Sequence, residues 1–245
     1  MENARRQELT RRGLEALLAD LHACPGDWLT ICLPRGEQPP PAEGLTPSQA
    51  RWLKEVDALA RELDSETGAV FFWSEARRVA VLPPFPVTEA LCRAGYDPLP
   101  LRSLLTASRK VGVVLLRLGR FAVGVFDGER LVDSKSGHRF VKGRHRAGGQ
   151  SAQRFVRIRE KQAREMFDKA CEEVKARFEP VERDLDHVFL GGDRHTLAAF
   201  LKRCPYLRRL DDRTMKRLLP VARPGLAALE AMPREIFKSQ VLFLE

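Results

Sequence analysis

Long apolar runs, paired cysteines and asparagine are what this 245-residue chain is short of. No stretch of about 18 apolar residues occurs, so no membrane-spanning helix is expected. The opening MENARRQELTRR has no apolar core, so a secretory signal is not expected either. The five cysteines, at 24, 32, 92, 171 and 204, include no CxxC pair. Neither a zinc ribbon nor a disulfide framework is therefore indicated, and the thiols are expected to be reduced and mostly buried in a cytoplasmic protein. No metal or cofactor is called for. His138 and His145 lie seven residues apart, with no nearby cysteine or acid pair to complete a ligand set.

What the chain does have is apolar material for a core and an excess of positive charge. Hydrophobic residues make up 44% and charged residues 31%, a balance that argues against general disorder. Net charge is +9, from 42 Lys+Arg against 33 Asp+Glu. Arginine supplies 32 of the 42, and it suits bidentate phosphate recognition and base stacking. A GC-rich genome, which the single asparagine (Asn3) also fits, accounts for the arginine equally well. The location of the charge therefore matters more than its amount.

Periodicity divides the chain into two α/β units, 1–103 and 104–245. In the first, a helix is expected over residues 1–22, with Leu14, Leu17, Leu18 and Leu21 at helical spacing. WLTICL (28–33) reads as a strand, the proline-rich 34–47 as a loop, and 48–63 as a helix with Trp52 and Val56 on its apolar face. Strands are expected over 69–73 and 78–82, and Trp28, Trp52 and Trp73 are expected in the core. In the second unit, runs 111–118, 121–126 and 130–136 are separated by short turns and predict an antiparallel meander. A polar loop over 137–150 leads into a long helix over 151–178, where Ser151 suits the N-cap. Residues 186–190 read as a strand, Asp193 as the cap of a helix over 194–202, and 206–245 as further helix.

The charge concentrates in Lys142–Arg164, which holds eight Lys/Arg and one acid, Glu160, for a net +7. On the long helix Arg154, Arg157, Lys161 and Arg164 share one stripe. Phe155, Ala163, Met166, Ala170 and Val174 share another, suited to packing on a sheet. A basic stripe beside a buried one is what a helix lying along phosphates needs. A plain solvated face is the alternative for any single charge run. Arg208, Arg209, Arg213, Lys216 and Arg217 offer a second patch, for which a phosphate partner and bulk solvent are equal readings.

The loop centres on Gly148-Gly149-Gln150, followed by Ser151, Arg154, Phe155, Arg157, Arg159 and Glu160. This stretch resembles, nearly residue for residue, the signature of the eukaryotic and archaeal class I peptide-chain release factors. The likeness covers roughly residues 108–203, and Ala147 departs from it, since class I factors usually have arginine there. The first hundred residues hold no NIKS-like motif and are too short for a stop-codon-reading domain. A short α/β unit ahead of such a middle domain is similar instead to the Vms-like release factors and their bacterial relatives. The resemblance implies an RNase H-like middle domain with a mixed, mainly antiparallel sheet. It also implies a codon-independent peptidyl-tRNA hydrolase that frees stalled nascent chains on the large ribosomal subunit. The implied partners are large-subunit ribosomal RNA and peptidyl-tRNA, with no membrane and a monomeric state expected.

The residues support that chemistry on their own terms. A protein reaching an ester inside an RNA cavity needs a thin tip free of acids, and Gly148 and Gly149 make the tip thin. Gln150 can donate its backbone N–H to the developing oxyanion, and its side-chain amide can position water. Lys142, Arg144, His145 and Arg146 would anchor the loop on phosphates, and Arg154, Arg157 and Lys161 would extend that grip. Two other readings remain open: a tRNA nuclease acting near the CCA end, and a non-enzymatic ribosome-binding rescue factor. For the nuclease, Asp184, Asp186, Asp211 and Asp212 are the acids to place. Ser151 is no nucleophile candidate outside a GxSxG context.

Overall fold

The computed structural model describes residues 4–140 and 150–244, and for residues 150–152 the backbone alone. Among these residues the elements run β1 (Arg5–Leu9), α1 (Arg11–Ala23), β2 (Leu29–Leu33), α2 (Pro47–Leu63), β3 (Ala69–Trp73), β4 (Arg78–Leu82), β5 (Leu91–Ala94) and α3 (Leu99–Thr106). They continue with β6 (Lys110–Arg117), β7 (Arg120–Asp127), β8 (Arg130–His138), α4 (Gln150–Phe178), β9 (Leu185–Gly192), α5 (Arg194–Arg203), α6 (Pro205–Arg208), α7 (Leu226–Ile236) and β10 (Ser239–Leu244). They form two compact units, residues 1–107 with 236–245 and residues 108–235. The class is mixed α and β, as expected.

The first unit is an antiparallel sheet in the order β1-β10-β4-β3-β2-β5. Every residue of β2 and β3 is buried, which requires cover on both faces. Alternation along the strands divides that cover. Val70 and Phe72 face Leu14, Leu18 and Leu21 of α1 and Leu101 and Leu105 of α3. Phe71 and Trp73 face Trp52 and Val56 of α2. All three tryptophans are core, as their apolar settings suggest.

Two expectations are corrected here. Residues 5–9 are an edge strand rather than the start of a helix; the helix begins after Thr10, whose side chain accepts from the Gly13 N–H. Residues 239–244 are a strand inserted between β1 and β4, so the end of the chain belongs to the first unit and not to a second domain running from 104 to 245. Both strands exist because they pair with each other across the length of the chain, Arg5 opposite Phe243. Local periodicity carries no such information.

The second unit has the order β8-β7-β6-β9, with β6 and β9 parallel and the other pairs antiparallel. β6, β7 and β8 form the antiparallel meander that the short turns predict, and the parallel β6–β9 pair makes the sheet mixed, as the resemblance implies. α4 packs on one face. Met166, Ala170, Val174 and Phe178 are fully buried against Val114, Leu116, Phe121 and Val123. Gly112 permits that approach: a Cβ there would lie 2.7 Å from the Phe178 ring. At the end of β9, Gly192 takes φ +135°, and a Cβ would meet the Leu116 carbonyl oxygen at 1.9 Å. The chain can turn there into α5, whose cap is Asp193, accepting from the Thr196 N–H at 2.9 Å.

The cysteine expectation is also corrected. Cys171 of α4 and Cys204, which caps α5, form a disulfide with their Cα atoms 5.4 Å apart. Their separation of 33 residues hid the pairing, and the packing of α5 on α4 creates it. Cys24, Cys32 and Cys92 remain thiols.

Candidate functional site

α4 is 29 residues long, about 44 Å at the usual rise. Its two halves do different work. From Met166 onward it alternates buried and exposed positions against the sheet. Among residues 153–165, none is fully buried. A helix half whose positions are at most half-buried holds its shape largely through its continuity with the anchored half.

The helix starts at Gln150, so the glutamine of the Gly-Gly-Gln motif is its first residue and Ser151 lies inside it rather than at its cap. A backbone N–H in the first helical turn has no intrahelical acceptor. An unbonded N–H of that kind is the property an oxyanion partner requires. Lys142, Arg144, His145, Arg146, Gly148 and Gly149 lie outside the described residues, as does 141–149 of the loop expected over 137–150; at its ends the expectation is corrected, since residues 137 and 138 close β8 and Gln150 already belongs to α4.

Arg154, Arg157 and Lys161 are exposed on α4, and none has an ion-pair partner among the described residues. Three exposed cations within two turns set up a local positive potential. Further along, the charges turn inward to structure. Arg139 reaches Glu165 at 2.5 Å, and Arg203 holds Asp168 with two hydrogen bonds of 2.9 and 2.8 Å. The stripe is thus open to a partner near the motif and internally compensated away from it.

The possible second patch is partly committed to the fold. Arg209 pairs with Glu182 at 3.2 Å, Arg213 donates to the Glu182 and Leu185 carbonyls, and Arg217 lies over the Phe189 ring. Two of the acids weighed for a nuclease are similarly engaged. Asp184 pairs with Lys110 Nζ, and Asp186 accepts the Lys110 backbone N–H. Among the described residues no three His, Cys, Asp or Glu side chains gather as a metal site. No helix among them is long and apolar enough to cross a membrane.

Sequence reasoning did not anticipate the surroundings of Arg159. Its Nε is buried and makes no hydrogen bond among the described residues. It lines an open groove of about 800 Å³ between the first half of α4 and the start of α5. The groove exists because α5 meets the same face of α4 that the core uses further along, a relation that no local pattern encodes.

Comparison with known proteins agrees with the motif. The family model described as the Actinobacteria/chloroflexi VLRF1 release factor matches residues 109–242. A "Peptide chain release factor subunit 1" from Methanopyrus kandleri is 32% identical over 138 residues, 55% of this chain and 34% of that protein. One from Thermococcus sibiricus is 30% identical over 133 residues, 53% of this chain and 32% of that protein. The chain therefore spans about a third of the length of these curated relatives. The crystal structure of an archaeal translation termination factor, aRF1, aligns with 94% of this chain and 73% of its own, at 19% identity and a TM-score of 0.42.

Proposed function

The chain belongs to the Actinobacteria/chloroflexi VLRF1 release factor family, and from that premise we propose that it is a codon-independent peptidyl-tRNA hydrolase. Its substrate is the ester joining a stalled nascent chain to the terminal adenosine of tRNA on the large ribosomal subunit. The observation that carries the reading is the position of Gln150, which follows two glycines and opens a helix whose next turns bear exposed cations.

In this reading the Gly148-Gly149 tip enters the peptidyl transferase centre, where a bulkier or acidic tip would be refused. Water attacks the ester carbonyl. The Gln150 N–H stabilises the oxyanion or the leaving 3′ oxygen, and its amide positions the water. Gly148-Gly149-Gln150 contains no general base, so the water's proton passes to RNA or to the tRNA 2′-hydroxyl. Lys142, Arg144, His145 and Arg146 grip phosphates around the tip, and Arg154, Arg157 and Lys161 grip those along the helix. The protein acts in the cytoplasm as a monomer, in ribosome-associated quality control.

The test is the tRNA product. After reaction on peptidyl-tRNA bound to large subunits, the tRNA 3′ end is sequenced. An intact terminal adenosine with free peptide, lost in Gln150→Ala, is the expected result. A shortened 3′ end would mean a nuclease. Ribosome binding with no product would mean a rescue factor that does no chemistry.

A further inference from the structure

The groove beside Arg159 has two kinds of wall. Leu118, Val156 and Ala163 supply an apolar floor closed at its inner end by Phe167, and Val156 and Leu118 are large apolar side chains exposed at 54% and 37%. Arg159, Arg164 and His195 supply its cationic and donor groups: the Arg159 Nε is buried without a hydrogen bond among the described residues, and Arg164 keeps its Nη groups free of the bond that its Nε makes to the Glu160 carbonyl at 3.3 Å. The opposite charges in it are Glu160 and Asp193, and Asp193 is occupied in capping α5. Arg164 also belongs to the basic stripe, so the groove and the stripe form one continuous surface. At about 800 Å³ the space is that of a small-ligand site.

An occupant must therefore bring negative charge along its edge and a flat apolar face to the floor. A plain acidic peptide satisfies the first condition and not the second. A nucleotide satisfies both, since every base has an apolar face and every residue of RNA carries a phosphate. We propose that the α4–α5 groove holds an unpaired RNA nucleotide, with its base on Leu118, Val156 and Ala163 and its phosphate on Arg159 and Arg164. The inference rests on the reading of α4 as an RNA-facing helix. It adds that the helix recognises a base out of its stack, where phosphates alone would be indifferent to pairing. A rigid seat serves this purpose. Phe167 on Phe200, Asp168 on Arg203 and Cys171 on Cys204 hold α5 to α4 directly beside the groove.

The experiment uses the full chain with two fluorescein-labelled probes, a short single-stranded RNA and its abasic counterpart with the same phosphates and no bases. Fluorescence anisotropy is expected to show about tenfold tighter binding of the RNA with bases. The ratio falls toward one in Ala199→Trp, which fills the groove from an exposed position of α5, and in Val156→Ser, which removes floor at an exposed position of α4. Arg154→Ala with Arg157→Ala lowers both affinities and keeps the ratio. Equal binding of the two probes by the wild type overturns the groove proposal and leaves the basic stripe standing. A ratio that survives both groove variants overturns it as well. Failure of the wild type to bind either probe contradicts the RNA-facing helix itself, and the groove with it.

Discussion

Arg203 grips Asp168 through both Nε and Nη2, at 2.9 and 2.8 Å, and the next residue, Cys204, is bonded to Cys171. These two ties bind α5 to the anchored half of α4, while residues 153–165 include no fully buried position. The fold thus separates support from presentation within one helix.

The disulfide is expected to matter for stability. Closing a loop of 33 residues restricts the unfolded chain, by about 2–4 kcal/mol on the loop-entropy account. Thermal melts of the wild type should move several degrees lower on adding a dithiol reductant, and Cys171→Ser with Cys204→Ser should melt at that lower temperature whether or not reductant is present. A wild type insensitive to reductant would show that the bridge does not form in solution.

Gly192→Ala is expected to destabilise the second unit by about 2–4 kcal/mol, because the left-handed φ and the Leu116 carbonyl both oppose a Cβ. Urea unfolding followed by circular dichroism measures it. An unchanged midpoint would refute the turn geometry.

Alkaline pH should weaken the first unit. Burial pushes the Cys32 thiol from 9.0 up to about 12, with Asp97 adding to the rise, and burial pushes the Tyr96 hydroxyl from 10.0 up to about 12. Both groups are held protonated in the folded state. Their contribution is full below pH 9 and is lost as pH rises toward 12, because the unfolded chain releases those protons first. Denaturation midpoints measured from about pH 8 to about pH 11 should decline, and Cys32→Ala should flatten part of the decline. A midpoint that rose over this range would contradict the burial of both groups.

Charge reversal at Arg154 and Arg157 is expected to weaken RNA binding uniformly across sequences. It should lower the salt dependence by about one power of salt concentration for each phosphate no longer neutralised. Arg209→Ala removes a cation already paired with Glu182 and should change binding little. Equal effects from the two changes would mean that net charge, and not the α4 stripe, governs binding.

The motif and α4 were legible in the sequence because their signals are local: Gly-Gly-Gln, a 3.6-residue apolar stripe and a basic stripe lie within one continuous segment. The meander and the Asp193 cap were legible for the same reason. β1 and β10 were not, because Arg5–Leu9 is polar and exposed and becomes a strand by pairing with Ser239–Phe243 at the far end of the chain. The Cys171–Cys204 bridge and the groove at Arg159 were hidden likewise, since both arise where α5 lands on α4. For the candidate site, residue types were readable and their neighbours were not.

Peptide release without a codon is decided by release rates from peptidyl-tRNA on isolated large subunits and on stop-codon-programmed whole ribosomes, with wild type and Gln150→Ala. Release on bare large subunits is expected to fall by a factor of about a hundred in Gln150→Ala, in line with loss of the side-chain amide that positions the water, while the backbone N–H and ribosome binding are retained. Release confined to stop-codon-programmed ribosomes, or a Gln150→Ala protein as fast as the wild type, would contradict that expectation.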